Sequence, residues 1–177
     1  MHSFFSACTS INAGLIVLLF ACGFYSHSQT SDTIKILDIA IPDFKIATIN
    51  DSTLFSRKDL PKEGLLLIKY FSPDCGHCQE EAKLFLSKKK KIKNIHTLWI
   101  SGSWASLEEV KVFAKTYKLH KINPIAIGKE PGSTLLDYYK ITGIPFAALF
   151  KDSKLIKTWR GEVDFEELIA LNNGKIE

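Results

Sequence analysis

The first 31 residues carry no Asp, Glu, Lys or Arg, although the chain of 177 residues has 23 basic and 19 acidic side chains. All of this charge lies at or after Asp32, so the two regions are physically different segments. Arginine-rich clustering is also missing, and a net charge of +4 is modest for this length, which excludes a typical nucleic-acid-binding surface. The length fits one folded domain, and an apolar fraction of 46% is enough to form its core.

The chain lacks an apolar run long enough to span a membrane near its uncharged start. The stretch from Ile11 to Phe24 has about 14 residues, whereas a membrane-spanning helix needs roughly 18 to 20. This length is typical of a signal-peptide core, although the usual basic residues before it are absent. We expect a signal peptide at residues 1–28, a linker at residues 29–37, and a folded domain at residues 38–177 that is exported to the periplasm or cell envelope.

Two cleavage sites would be compatible with this signal peptide, and the sequence leaves both open. Leu19-Phe20-Ala21-Cys22 resembles a bacterial lipoprotein box, in which the cysteine becomes lipidated and anchors the protein to the membrane. The small residues of Ser26-His27-Ser28 instead favour ordinary cleavage before Gln29, which would release a protein without an anchor. The membrane is therefore expected as a partner only through a lipid on Cys22.

Cysteine is scarce in the folded part. Of the four cysteines, Cys8 and Cys22 belong to the predicted signal peptide, and only Cys75 and Cys78 remain. One close pair is not the cysteine pattern of a disulfide-stabilised scaffold. A zinc site would need two further ligands, and His77, His96 and His120 do not have paired metal-ligand spacing. We therefore expect no bound metal and no cofactor.

The hydrophobic pattern predicts an α/β domain in which helices flank a central mixed sheet. Strands are predicted at residues 44–49, 53–55, 65–71, 95–100, 125–127, 146–150 and 155–159. Helices are predicted at residues 75–91, 106–117, 134–139 and 164–171. The first two strands flank Asn50-Asp51-Ser52, which favours an N-terminal hairpin. Ser106 and Glu109 form a capping-box pattern that opens the second helix.

Cys75-Gly76-His77-Cys78 lies where a buried strand is predicted to turn into a helix. A cysteine at a helix N-terminus meets unpaired N–H groups and the positive end of the helix dipole, which favour its thiolate form. Cys75 is therefore the predicted nucleophile, and Cys78, one turn later, is placed to resolve a mixed disulfide. Gly76 and His77 are predicted to tune the redox potential, because a histidine can stabilise the neighbouring thiolate.

Together with Gly143-Ile144-Pro145 before a strand, this motif resembles the thioredoxin superfamily, and more narrowly the TlpA/ResA-type exported thioredoxin-like proteins. The resemblance extends from about Ile39 to the C-terminus. It implies a thioredoxin-like fold with an N-terminal β-hairpin extension. It also implies a thiol–disulfide oxidoreductase of the bacterial cell envelope, whose partners are protein thiol or disulfide clients and a further redox protein. A non-catalytic thioredoxin-fold binding module is the alternative, and the intact cysteine pair argues against it.

The resemblance also assigns roles to residues away from the cysteines. It implies that Pro145 is cis and that the backbone of Ile144 pairs with a substrate strand, whereas an ordinary trans proline could instead open an edge strand. Lys69 occupies the position of the buried acid of thioredoxins, so that proton-transfer role cannot be transferred. Glu81 matches a glutamate of the TlpA/ResA-type pattern, which implies proton exchange with Cys78. A solvated helix residue is the other interpretation of Glu81.

Overall fold

The computed structural model describes residues 40–50 and 53–174. The predicted signal peptide with Cys22 and the whole predicted linker lie outside these residues. The strands are β1 (Lys45–Thr48), β2 (Leu54–Ser56), β3 (Leu65–Phe71), β4 (Ile95–Ser101), β5 (Pro124–Lys129), β6 (Phe146–Lys151) and β7 (Lys154–Arg160). The helices are α1 (Gly76–Lys88), α2 (Leu107–Thr116), α3 (Thr134–Tyr138) and α4 (Phe165–Asn172).

The strands form one mixed sheet in the order β2-β1-β5-β4-β3-β6-β7. β3 lies near the centre, where it pairs in parallel with β4 and antiparallel with β6. β4 and β5 are also parallel, whereas the β1–β2 and β6–β7 pairs are antiparallel. Because β3, β4 and β5 run the same way, their carboxyl ends lie at one edge of the sheet, and the loop to Cys75 leaves β3 at that edge.

The continuous apolar sequence of β3 reflects burial on both faces of the sheet. Leu67 and Phe71 point to one face, where residues of α1, α2 and α4 cover them. Leu66 and Ile68 point to the other face, where they pack in the same cluster as Leu135 of α3. The sheet therefore separates two apolar cores, and the larger one contains Cys78.

Local sequence signals fix the helix ends and turns. Ser106 and Glu109 form the predicted capping box at the start of α2, and the Asp164 side chain accepts the N–H groups of Glu166 and Glu167 at the start of α4. The β6–β7 turn has Asp152 at φ 50° and Ser153 at φ 65°. Two consecutive residues in the left-handed region are typical of the tight turns that match the strand twist of a hairpin.

The predicted elements all occur, with differences at their ends. The second strand begins one residue later than predicted, and α1 ends at Lys88 rather than near residue 91. On α2, Val110, Phe113 and Ala114 are buried, whereas Leu107 is only partly buried. The N-terminal hairpin is continuous with the main sheet, since β1 pairs with β5. Within the described ranges, no helix is both long and apolar enough to cross a membrane.

Candidate active site

The cysteine pair lies at the junction between β3 and α1. Cys75 is the N-cap residue of α1, and its Sγ accepts the N–H of Cys78 at 3.2 Å. The Sγ of Cys78 lies 2.6 Å from that of Cys75, and both cysteines are free. Cys75 is partly exposed, whereas Cys78 is completely buried. Only Cys75 is therefore open to attack a disulfide of another molecule.

The environment of Cys78 opposes its ionisation. Burial raises the pKa of the Cys78 thiol, and the hydrogen bond to Cys75 raises it further. The positive charge of Lys69 acts in the opposite direction and lowers the pKa of this thiol. The buried cysteine is thus held as a thiol, and its reaction requires a group that takes its proton or stabilises its charge.

The loop before Cys75 is held by short-range hydrogen bonds. Cys75 donates its N–H to the Ser72 carbonyl at 3.2 Å, and the Ser72 hydroxyl donates to the Asp74 carboxylate. The Gln79 side chain, one turn into α1, donates to the Pro73 carbonyl at 2.9 Å. These contacts join the loop to the helix and fix the position of the Cys75 sulfur.

A buried ion pair lies behind the cysteines. Lys69 Nζ is 2.7 Å from Glu81 Oε2, and both side chains are 0% exposed. The other carboxylate oxygen, Oε1, accepts the N–H of Val163 at 2.8 Å. Burial lowers the pKa of Lys69, and the negative charge of Glu81 opposes this effect. The interpretation of Glu81 as a solvated helix residue is therefore wrong.

Sequence reasoning missed this pair, although both members left a signal. Lys69 interrupts the otherwise apolar strand, and the spacing of Cys78, Ala82 and Phe85 places Glu81 on the same buried face of α1. When two elements pack together and the buried face of each carries one charge, of opposite sign, the two charges are expected to form a buried ion pair. An unpaired buried charge would be strongly unfavourable.

Residues 160–163, which begin at the last residue of β7, contact three other parts of the site. Arg160 donates to the carbonyls of Lys140 at 2.8 Å and Tyr139 at 3.0 Å. Glu162 Oε1 lies 2.8 Å from Nδ1 of His77, the histidine between the cysteines. The Val163 N–H binds Glu81, as described above. The 160–163 segment thus joins the end of α3, the cysteine motif and the buried ion pair.

The Ile144–Pro145 peptide bond is cis, which confirms the predicted geometry. Pro145 is buried and Ile144 is partly buried. The Pro145 carbonyl accepts the N–H of Gly161 at 2.9 Å, so the 160–163 segment also holds this loop. Cys75 and Ile144 both pack against the larger apolar core. The role of Ile144 and Pro145 in substrate binding stays a prediction.

Known structures share this architecture. A secreted disulfide oxidoreductase of Mycobacterium tuberculosis superimposes with a TM-score of 0.61 at 13% identity, over 74% of this chain and 95% of that one. The thioredoxin domain of a thiol-disulfide oxidoreductase from Bacteroides vulgatus gives 0.60 at 17% identity, over 79% and 97% of the two chains. An exposed lipoprotein thioredoxin of Streptococcus pneumoniae gives 0.57 at 20% identity, over 75% and 99%.

The chain has a thioredoxin-like fold. This confirms the resemblance drawn from the sequence at the level of the fold. No protein-family model matches the sequence, and no curated protein matches it.

An open cleft of about 440 Å³ lies beside the cysteine loop of this thioredoxin-like domain. Asp74 lines it on one side, and Trp104, Glu108 and Val112 line it on the other. Trp104 is 52% exposed, yet its ring packs edge-on to Tyr70 and covers Gly102, where a Cβ atom would overlap the indole. The cleft therefore offers an exposed aromatic surface that is held in place.

The two other histidines among the described residues, His96 and His120, lie away from the cysteines of the thioredoxin-like domain. His96 is at the start of β4 and His120 is in the short turn Leu119–Lys121, at the opposite end of the sheet from Cys75. In residues 40–50 and 53–174, no group of three or more His, Cys, Asp or Glu side chains could hold a metal ion. The zinc alternative thus gains no support from the placement of these histidines.

Proposed function

We propose that this protein is a thiol–disulfide oxidoreductase that exchanges electrons with protein cysteines through Cys75 and Cys78. The observation that carries this proposal is the pair of adjacent free thiols at the start of α1, of which Cys75 is accessible and Cys78 is buried. This arrangement suits a nucleophile that reacts with other proteins and a second thiol that reacts only within the domain.

The reaction begins when the Cys75 thiolate attacks one sulfur of a client disulfide. A mixed disulfide forms between Cys75 and the client, and the other client cysteine leaves as a thiolate. Cys78, after losing its proton, then attacks the Cys75 sulfur and releases the second client thiolate. The client gains two electrons and two protons, and the domain is oxidised to the Cys75–Cys78 disulfide. The same steps in reverse order oxidise a client. The redox partner therefore determines whether the domain reduces or oxidises its clients.

Glu81 is proposed to accept the proton of Cys78. Its carboxylate follows Cys78 by less than one helical turn and is completely buried in the same region. A carboxylate there can take a proton without access to bulk water. We expect Glu81→Gln to shift the pH dependence of the attack by Cys78 on the mixed disulfide. Circular dichroism should show that the variant keeps its fold. An unchanged pH profile would remove Glu81 from the mechanism.

Gly76 and His77 are proposed to set the redox potential. Positive charge or a hydrogen bond from His77 stabilises the Cys75 thiolate and therefore the reduced form. We expect a potential between about −270 mV and about −180 mV, the values of thioredoxin and protein disulfide isomerase. A glutathione-buffered titration of His77→Pro should give a more negative potential than the parent. A potential that is unchanged or less negative would show that His77 does not determine the redox potential.

Ile144 and Pro145 are proposed to bind the client chain. Proline cannot donate a backbone hydrogen bond, so the Ile144 backbone beside it is the group available to pair with an extended client segment. The open position of Cys75 and the neighbouring cleft support a protein client, since both leave room for a polypeptide. The redox protein that renews the cysteine pair is a second expected partner.

We also propose that the protein is exported, with residues 1–28 as signal peptide, residues 29–37 as linker and residues 38–177 as the thioredoxin-like domain. Structures with the same fold include one described as secreted and one described as an exposed lipoprotein. Mass spectrometry of the mature N-terminus in the native host tests both cleavage sites. A diacylglyceryl group on Cys22 would mean membrane anchoring, and Gln29 as first residue would mean release. Intact residues 1–28 in the cytoplasm would contradict export.

Insulin reduction coupled to glutathione tests the activity. Cys75→Ser should abolish turnover, whereas Cys78→Ser should accumulate mixed disulfides that can be identified from the native host. Lys83→Met, an exposed change on the same helix, serves as control. If alkylation at mildly acidic pH labels Cys78 faster than Cys75, the assignment of the nucleophile is wrong. A parent protein without disulfide-exchange activity would instead favour the binding-module alternative.

A further inference from the structure

The proposed reaction leaves one buried charged group without a role. Lys69 is a lysine on the central strand β3, and its side chain is 0% exposed. An ammonium group has three donors, yet apart from its contact with Glu81 Oε2, Lys69 Nζ has no hydrogen-bond partner among the described residues. A buried cation with unused donors is costly, so its retention requires an explanation.

The position of Lys69 connects it to the cysteines. Its side chain leaves β3 on the same face as Leu67 and Phe71, and these two residues pack in the cluster that contains Cys78. The partner of Lys69, Glu81, lies three residues after Cys78 on α1. The ammonium group is therefore enclosed in the apolar region behind the cysteine pair, where low polarity strengthens its effect on a nearby negative charge.

We propose that Lys69 is a positioning residue whose buried ammonium group is the counter-ion of the Cys78 thiolate during the step that resolves the mixed disulfide. This inference rests on the proposed function and goes beyond it, because the sequence pattern gave Lys69 no part in the reaction. The structure contains the groups that the step needs: a thiol, a carboxylate and a cation enclosed together.

The charges balance through this step. Before it, Cys78 is a neutral thiol and Lys69 and Glu81 form an ion pair. The Cys78 proton then moves to the Glu81 carboxylate, which leaves a neutral Glu81, a Cys78 thiolate and the Lys69 cation. The thiolate attacks the Cys75 sulfur, the bond between Cys75 and the client breaks, and the client thiolate leaves with its electron pair. Glu81 afterwards returns the proton to the client thiolate through water.

The net charge of Lys69, Glu81 and Cys78 is zero before and after the proton transfer. The buried region thus never contains an uncompensated charge, which would be strongly unfavourable there. The titratable groups that act on Lys69 are Glu81, Cys78 and Cys75, and negative charge on each of them favours the ammonium form. In turn, the charge of Lys69 lowers the pKa of Cys78.

A purely structural ion pair between β3 and α1 is the competing explanation. Buried ion pairs often contribute no more stability than apolar residues of similar volume. The structural explanation predicts that Lys69 variants lose stability but keep the pH profile of the resolving step. The counter-ion explanation predicts that this pH profile moves. Stability and pH profile therefore separate the two.

Stopped-flow reaction of the reduced full-length protein with a chromogenic aromatic disulfide measures both steps. The first coloured thiolate reports attack by Cys75, and the second reports resolution by Cys78. The rate of the second phase is measured as a function of pH. In Lys69→Met we expect the midpoint of this pH profile to rise by about one pH unit, and the resolving step to be about tenfold slower at neutral pH. The first phase should change less. Lys69→Arg, which keeps the charge, should stay closer to the parent, and the exposed Lys83→Met should match it.

The outcomes are distinct. An unchanged pH midpoint in Lys69→Met, or equal slowing of both phases, would overturn the counter-ion role. If Lys69→Met does not fold, the double variant Lys69→Met with Glu81→Leu removes both buried charges together. A midpoint in the double variant that is higher than in Glu81→Leu alone supports the proposal, and a midpoint equal to that of Glu81→Leu alone overturns it. A parent protein that releases no second thiolate would instead refute the proposed function itself.

Discussion

Arg160 offers the most direct test of how the loop with the cis proline is held. Its guanidinium group donates to the carbonyls of Tyr139 and Lys140, at the end of α3, and lies 5.8 Å from the centre of the Phe146 ring. These groups flank the loop that carries Ile144 and Pro145. Arg160→Ala removes the connection between the two ends of this loop, while Cys75 and its neighbours stay in place.

The expected magnitude follows from two hydrogen bonds of a charged donor on an exposed side chain. Because solvent weakens these hydrogen bonds, each contributes about 1 kcal/mol or less. Loss of both should therefore destabilise the bound conformation of the loop by about 1 to 2 kcal/mol. Because 1.4 kcal/mol corresponds to a factor of ten, the KM for insulin should rise about fivefold to thirtyfold. Reaction with glutathione disulfide should change less than about twofold, since a small disulfide needs little of the loop.

Steady-state kinetics with both substrates, next to a thermal unfolding curve, test this prediction. Arg57→Ala is the matched control, because Arg57 is also exposed and, within residues 40–50 and 53–174, its guanidinium group makes one long contact, 3.5 Å from Asp43. An equal loss of rate with both substrates would mean that Arg160 acts on the cysteines or on overall stability. An unchanged insulin KM would refute the reasoning that the guanidinium group orders the client-binding loop.

Three further predictions concern the surroundings of the site and the edge of the sheet. Glu162→Gln removes a negative charge beside His77, which reduces the electrostatic repulsion of the Cys75 thiolate and stabilises the reduced form. The redox potential, measured by glutathione titration, should become less negative by about 10 mV. Trp104→Ala should weaken binding of client peptides that have an apolar residue next to the cysteine, measured as KM, and leave the glutathione reaction unchanged. Gly128→Ala should lower the free energy of unfolding by about 1 to 3 kcal/mol, because the added methyl group would overlap the Ala47 carbonyl.

Each of these predictions has a control within the chain. High salt should remove the effect of Glu162→Gln, because both partners of that pair are largely exposed, and a shift that persists would contradict it. Leu84→Ala, an exposed apolar change outside the cleft, should not affect peptide KM. Gly132 has open space where a Cβ would lie, so Gly132→Ala should unfold like the parent. Equal stability of the two alanine variants would show that Gly128 is not needed for β1 to approach β5.

The order of the elements could be predicted from the sequence because local signals bound most of them. β3 was predicted at Leu65–Phe71, as observed, since Gly64 and Pro73 interrupt the pattern on either side of a continuous apolar run. The start of α1 was predictable from the loop Ser72-Pro73-Asp74 and the helical spacing after it. The capping box gave the start of α2 in the same way. Such signals act within one turn or one strand and need no tertiary contact.

The contacts around the cysteines could not be predicted in the same way, because they join segments far apart in the chain. The pairing of Lys69 with Glu81 depends on how α1 packs on β3, which the separate patterns of the two elements do not define. The Val163 contact with Glu81 uses a backbone N–H, which every residue except proline has, so no residue type reveals it. The same holds for the bond from Gly161 to Pro145.

The position of β1 in the sheet also constrains the order in which the domain folds. β1 lies near the start of the domain, but its outer partner is the short β2 and its inner partner is β5, through Ala47 and Lys129. A two-stranded hairpin is only marginally stable alone in water. The β1–β2 hairpin is therefore not stably folded until β5 has paired with β4. A chain that emerges N-terminus first therefore cannot complete its sheet early.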